Sequence, residues 1–122
     1  MSESEREGIF PVRGSLTVNG EPAEYANVIL TPADPSSGLS KAYGVVEADG
    51  EFRLSTKRDY DGAQPGEYFV TVSWAKPINP NRREPDYGPE LLPAKFQDPA
   101  QSGLKVVIEA TRNDLAPIEI VN

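Results

Sequence analysis

The sequence predicts an all-β fold, an antiparallel Greek-key β-sandwich of about seven strands. Three observations carry that expectation. Apolar and polar residues alternate with period two in most of the patterned stretches. Turn residues (Gly, Pro, Asn, Asp) punctuate the chain about every 8–15 residues. No segment keeps a 3.6-residue period over about ten residues. Short alternating strands in a chain of 122 residues suit two sheets packed over one core, with a small barrel as the alternative closure.

Residues 1–8 are polar and acidic without apolar periodicity, and read as a flexible tail before a single domain spanning 9–122. Val12, Leu16 and Val18 share one face of the first strand while Arg13, Ser15 and Thr17 share the other. Asn19-Gly20 closes it with a pair that tolerates positive φ. Ala26–Thr31 is the second strand and about 41–47 the third. Asp49-Gly50 turns into Phe52 and Leu54, which face one way. After the punctuated stretch 59–66, Tyr68, Val70, Val72 and Trp74 line one face of the clearest strand, with Tyr68 needing a partner for its hydroxyl. The stretch 76–103 holds six of the twelve prolines, and is either a functional insertion or cover for a poorly patterned strand, with Lys95-Phe96 as its start. Leu104, Val106 and Ile108 alternate next, and Ile118 and Ile120 share a face in the last strand, within 115–121.

Composition removes many chemistries. The chain has no His and no Cys, which excludes Ser-His-Asp and Cys-His catalysis, His-ligated metals and thiol redox. A net charge of −7 argues against nucleic acid and against anionic membrane surfaces. No stretch approaches the about 20 apolar residues of a membrane span, and the N-terminus lacks the apolar core of a secretory signal. No cofactor is expected.

Several segments together resemble carboxypeptidase regulatory-like domains. Val12-Arg-Gly-Ser-Leu-Thr-Val-Asn-Gly-Glu-Pro-Ala with Ala26-Asn-Val-Ile-Leu-Thr-Pro is similar to the opening of that family. Val46-Glu-Ala-Asp-Gly-Glu-Phe-Arg-Leu resembles its hairpin, and Pro65-Gly-Glu-Tyr-Phe-Val-Thr-Val its following strand. The segment from Leu92 to Ile108 looks like the ending of short stand-alone bacterial versions. The resemblance implies a transthyretin-like sandwich of seven strands in two sheets and a non-catalytic module of the cell envelope, where many such proteins are lipoproteins. Enzymes on related folds, the 5-hydroxyisourate hydrolases and intradiol dioxygenases, depend on histidines that this chain lacks.

Two sets of residues are candidates for contact. Trp74, Arg82, Arg83 and Tyr87, on or beside the long loop, combine aromatics with Arg as interaction surfaces do, and point to a protein or glycan partner through the 76–96 loop. An exposed sheet edge is a second route, which allows a monomer or a weak edge-mediated dimer. The rival set is Glu47, Asp49, Asp59 and Asp61, turn carboxylates that could supply oxygens to Ca²⁺ in an adhesion or stability module, or simply shape their turns.

Overall fold

The computed structural model describes residues 2–79, 83 and 86–122. Its strands are β1 (Val12–Val18), β2 (Glu21–Pro22), β3 (Asn27–Pro32), β4 (Ala42–Val45) and β5 (Glu51–Arg53), followed by β6 (Gly66–Ser73), β7 (Lys105–Ile108), β8 (Asn113–Asp114) and β9 (Ile118–Ile120). They form two sheets, and the fold is an all-β sandwich. In one sheet β1 is central, with β2 and β5 antiparallel to it and β8 and β9 parallel to it. The other is antiparallel throughout, in the order β4-β3-β6-β7. The first sheet therefore departs from the wholly antiparallel expectation. Period two fixes which face of a strand is buried but not the direction of its neighbour.

The alternating residues meet between the sheets. Val12, Leu16 and Val18 of β1, Phe52 of β5 and Ile118 and Ile120 of β9 pack against Val28 and Leu30 of β3 and Tyr68, Val70 and Val72 of β6. Full burial of such a side chain contributes about 1.5–3 kcal/mol. The Tyr68 hydroxyl finds its partner by donating to the Gln64 carbonyl at 2.7 Å, and burial pushes its pKa up. At one corner the sheets are stitched together by Tyr43 and Ser55, which exchange two backbone hydrogen bonds of 2.9 and 2.8 Å.

The start of the chain carries local structure. Glu3–Arg6 form one helical turn (α1), because Ser2 and Glu5 make a reciprocal capping box and satisfy N–H groups that a short turn otherwise leaves open. Arg58 then grips Glu7 at 2.7 Å and Glu3 at 3.3 Å, and Ile9 is fully buried. The Arg58 guanidinium holds the Glu7 carboxyl below its ordinary 4.5. A carboxyl depressed by folding contributes stability above its unfolded value, and that contribution is lost as pH falls through the folded one. Acidification below 4.5 is expected to release α1 before the sandwich opens. Amide exchange at residues 5–8 followed by NMR checks this: Arg58→Ala should free the turn at neutral pH, and equal protection in both proteins at every pH would refute the anchor.

The described residues of the proline-rich stretch form no named strand and are tied down at several points. Ile78 donates to Asp86 at 2.7 Å and Gly88 to Lys76 at 2.9 Å, which makes a narrow arm bridged at Pro77 and Tyr87. Glu90 fastens the base of the arm, accepting from the Ser73 hydroxyl and the Trp74 amide at 2.7 Å each. Beyond it Leu92 and Phe96 are buried against the core. Lys95-Phe96 begin no strand. They lie in a 3-10 turn over Ala94–Gln97, with prolines at 93 and 99 interrupting any ladder and the Gln97 side chain donating to the Val72 carbonyl at 2.7 Å.

Candidate functional site

The outer face of the β4-β3-β6-β7 sheet carries an unusual side-chain set. Val28 and Leu30 point into the core, so Asn27 and Ile29 point out. The register puts Val45 and Ser73 on either side of Asn27, and Tyr43 and Thr71 on either side of Ile29. Loops from both ends add aromatics to this row. The chain has five tyrosines: Tyr68 is core, and Tyr25, Tyr43, Tyr60 and Tyr87 are 41%, 50%, 55% and 59% exposed.

Those four exposed tyrosines line two adjoining depressions. One, of about 300 Å³, lies between Tyr43 and Tyr60 over Ile29, with Arg53 and Ser55 at its side. The other, of about 220 Å³, lies between Tyr25 and Tyr87 with Ser73 and Ala75. Asn27 and Val45 line both, so the two make one continuous surface. The arm carries Tyr87 to it, since the Pro77–Tyr87 bridge fixes that residue beside the end of β6.

The backbone reaches this arrangement at a cost. Tyr25 has φ 77° and Tyr60 φ 58°, in the left-handed region where an L side chain crowds its own carbonyl. A bulky residue there is an outlier costing about 1–2 kcal/mol, whereas glycine would sit there freely. Both are held in place: the Tyr25 amide donates to the Val46 carbonyl at 2.9 Å, and the Tyr60 amide to the Ser55 hydroxyl at 2.8 Å. The Tyr60 ring is oriented further by the Arg53 guanidinium, 3.9 Å above its centroid.

The expected contact set divides in this structure. Trp74 is not a surface anchor: it is 6% exposed and its indole N–H donates to the Glu24 carbonyl at 2.8 Å, because β6 continues its inward alternation to that position. Arg82 lies outside the described residues. Arg83 is exposed, and Tyr87 alone of the four lines the tyrosine surface. Tyr25, Tyr43 and Tyr60 were not singled out by sequence, since positions so far apart share no local motif.

Two of the turn carboxylates, Asp61 and Asp49, are occupied by backbone. Both oxygens of Asp61, which is 7% exposed, accept from the amides of Thr56, Lys57 and Arg58 at 2.7, 3.0 and 2.9 Å. Asp49 accepts from the Glu51 amide at 2.9 Å, and the Glu47 carbonyl closes the same turn on Gly50. Asp59 is exposed on the neighbouring turn. Among the described residues no group of three acidic side chains is placed to hold a metal ion, and the calcium arrangement of Glu47, Asp49, Asp59 and Asp61 is not assembled. Among the described residues no helix is long and apolar enough to cross a membrane.

No family model matches the chain, and no curated protein is significantly similar to it. Among solved structures the chain is similar to a 9R-lipoxygenase from Cyanothece PCC8801, with 13% identity and a TM-score of 0.48. The match covers 93% of this chain but 17% of the lipoxygenase, so the chain spans less than a fifth of that protein's length. A likeness of that degree carries no argument about fold or activity.

Proposed function

We propose that this protein is a non-catalytic glycan-binding module of the cell envelope, built on a transthyretin-like Greek-key sandwich, and that the tyrosine surface is its binding face. The observation that carries the reading is the gathering of Tyr25, Tyr43, Tyr60 and Tyr87 along two adjoining depressions, two of them in a strained backbone. Strain kept at exposed aromatic positions indicates that the side chains themselves are wanted there. The turn-and-strand order resembling carboxypeptidase regulatory-like domains supports the fold and the location, and the lack of His and Cys supports the absence of catalysis.

Chemistry favours a sugar over a protein surface. Sugar rings present C–H faces of partial positive charge, which pack on the negative faces of aromatic rings. Their hydroxyls need amide and hydroxyl partners between those rings, and Asn27, Ser55 and Ser73 stand there. Two shallow depressions joined end to end fit successive rings of a chain, whereas a protein contact of stable size needs a broader, flatter apolar centre.

Titration with chitotetraose, xylotetraose and tetragalacturonate, followed by tyrosine ring NMR signals, tests this. At least one sugar is expected to shift Tyr43 and Tyr87, with Tyr43→Ala and Tyr87→Ala each weakening it tenfold or more. Tyr25→Asn should weaken it similarly yet change unfolding stability by less than about 1 kcal/mol, since relief of strain offsets the lost contacts. Silence from all three sugars, or binding indifferent to these substitutions, would overturn the reading.

A further inference from the structure

Beside the tyrosine surface the chain gathers positive charge, against its overall balance of −7. A third depression, of about 240 Å³, is lined by Arg13, Arg53 and Arg112 together with Tyr60. Arg13 of β1 and Arg53 of β5 stand directly opposite each other in the antiparallel register. Like charges so placed repel and weaken a sheet. Among the described residues neither has a carboxylate within the 4.0 Å of an ion pair. Asp114 is a loose partner of Arg112 at 3.6 Å and stands beside Arg13 in the parallel register of β1 and β8, outside ion-pair distance of Arg13, and it does not line the depression.

Local structure presents these groups deliberately. Asn113 is 8% exposed and fully hydrogen-bonded: its amide nitrogen donates to the Glu109 and Thr111 carbonyls at 3.1 and 2.7 Å, and its oxygen accepts from the Glu109 amide at 2.9 Å. That buried clamp shapes the turn which carries Arg112 to the rim. Arg53, stacked on Tyr60, is fixed in direction, and those two residues line both this depression and the tyrosine surface. A guanidinium is a planar fork that takes an oxyanion through two N–H groups, and three of them around one depression leave room for a negative group to relieve their repulsion.

We infer that Arg13, Arg53 and Arg112 form an oxyanion site continuous with the tyrosine surface, and that the glycan held there is acidic, placing a carboxylate or sulfate among the three guanidiniums. The identity of the ligand rests on the glycan reading above; the anion site stands on the arginines alone.

The test separates the two. Arginine side-chain N–H signals are followed by NMR while sodium sulfate and sodium acetate are added to the whole protein, and tetragalacturonate, a sulfated chondroitin tetrasaccharide and neutral xylotetraose are compared by calorimetry. The simple ions are expected to shift Arg13, Arg53 and Arg112, and an acidic tetrasaccharide to bind at least tenfold tighter than the neutral one. That advantage should fall as NaCl rises, because these guanidiniums are exposed and screened. Arg13→Gln and Arg112→Gln should abolish it, and Arg13→Gln should not lower the melting temperature, as it would if Arg13 were a structural partner. The better of the two acidic sugars distinguishes carboxylate from sulfate. Neutral and acidic sugars binding equally at the tyrosines would overturn the inference while leaving the glycan reading intact. Ions shifting the arginines with no sugar bound would uphold the anion site and overturn the glycan reading. No shift at the arginines with any ion or sugar would overturn the site itself.

Discussion

Gly62→Ala is expected to leave little folded protein, with a loss of about 4 kcal/mol or more against the about 5–15 kcal/mol that hold a domain together. Gly62 has φ +109°, and a Cβ built on it would lie 1.7 Å from the Phe10 carbonyl oxygen and 2.4 Å from its carbon. The obstacle is backbone, and it cannot swing aside. Phe10 and Ala63 exchange two hydrogen bonds of 3.0 Å, and the Gly62 amide donates to the Leu54 carbonyl at 2.9 Å. Relief therefore requires parting the 10–11 segment from the 62–63 segment and exposing Ile9 and Ala63, both fully buried. Gly20→Ala is the control: its φ is +83°, but nothing lies within 4 Å of the added carbon, so only the backbone preference of about 1 kcal/mol is lost. Urea unfolding followed by tryptophan fluorescence compares them. A Gly62→Ala midpoint no lower than that of Gly20→Ala would show that the two segments are not clamped.

Asp61→Ala follows in size, at about 3 kcal/mol, since it strips a charged acceptor from three backbone N–H groups at once. Those amides belong to Thr56, Lys57 and Arg58, in a turn that folds around the carboxylate, and the Thr56 hydroxyl donates to the Gly62 carbonyl at 2.6 Å in the same knot. Asp61→Asn keeps one acceptor oxygen and is expected to lose about half as much. The effect should spread, because this turn carries Arg58 to α1 and Tyr60 to the tyrosine surface. Thermal unfolding with Ca²⁺ or EDTA present checks the interpretation. A stability change driven by Ca²⁺ and absent from Asp61→Ala would mean that the carboxylate serves a metal rather than the turn.

Much of the sandwich was legible because burial of one strand face writes itself into alternate residues. Val12–Val18 and the run from Tyr68 carried their inward faces openly, and Ile118 with Ile120 did so in three residues. Asn19-Gly20 showed the turn, and both residues do take positive φ, 51° and 83°. The parallel placement of β8 and β9 beside β1 was not legible, since alternation is the same in either direction. The helical turn left a signal that composition hid: Ser2 and Glu5 are spaced as a capping box, within a run that reads as charged coil. The tyrosine surface lay furthest from view. Its tyrosines come from β4, from the turns before β3 and after β5, and from the arm, and only the register of the folded sheet makes them neighbours. Asp61 looked like a ligand for the reason that makes it structural, a carboxylate in a tight turn being equally suited to metals and to amides.

The central position of β1 governs the order of events as the protein forms. Its partners on one side arrive soon, at residues 21–22 and 51–53, but those on the other side, β8 and β9, lie about a hundred positions later. During synthesis one flank of β1 stays unpaired until residues 113–120 have left the ribosome. That open ladder is a template for mispairing in the interval. Closing so long a loop in the last step also slows folding from denaturant, so this small protein should refold sluggishly for its size, with β1 among the last strands to gain protection.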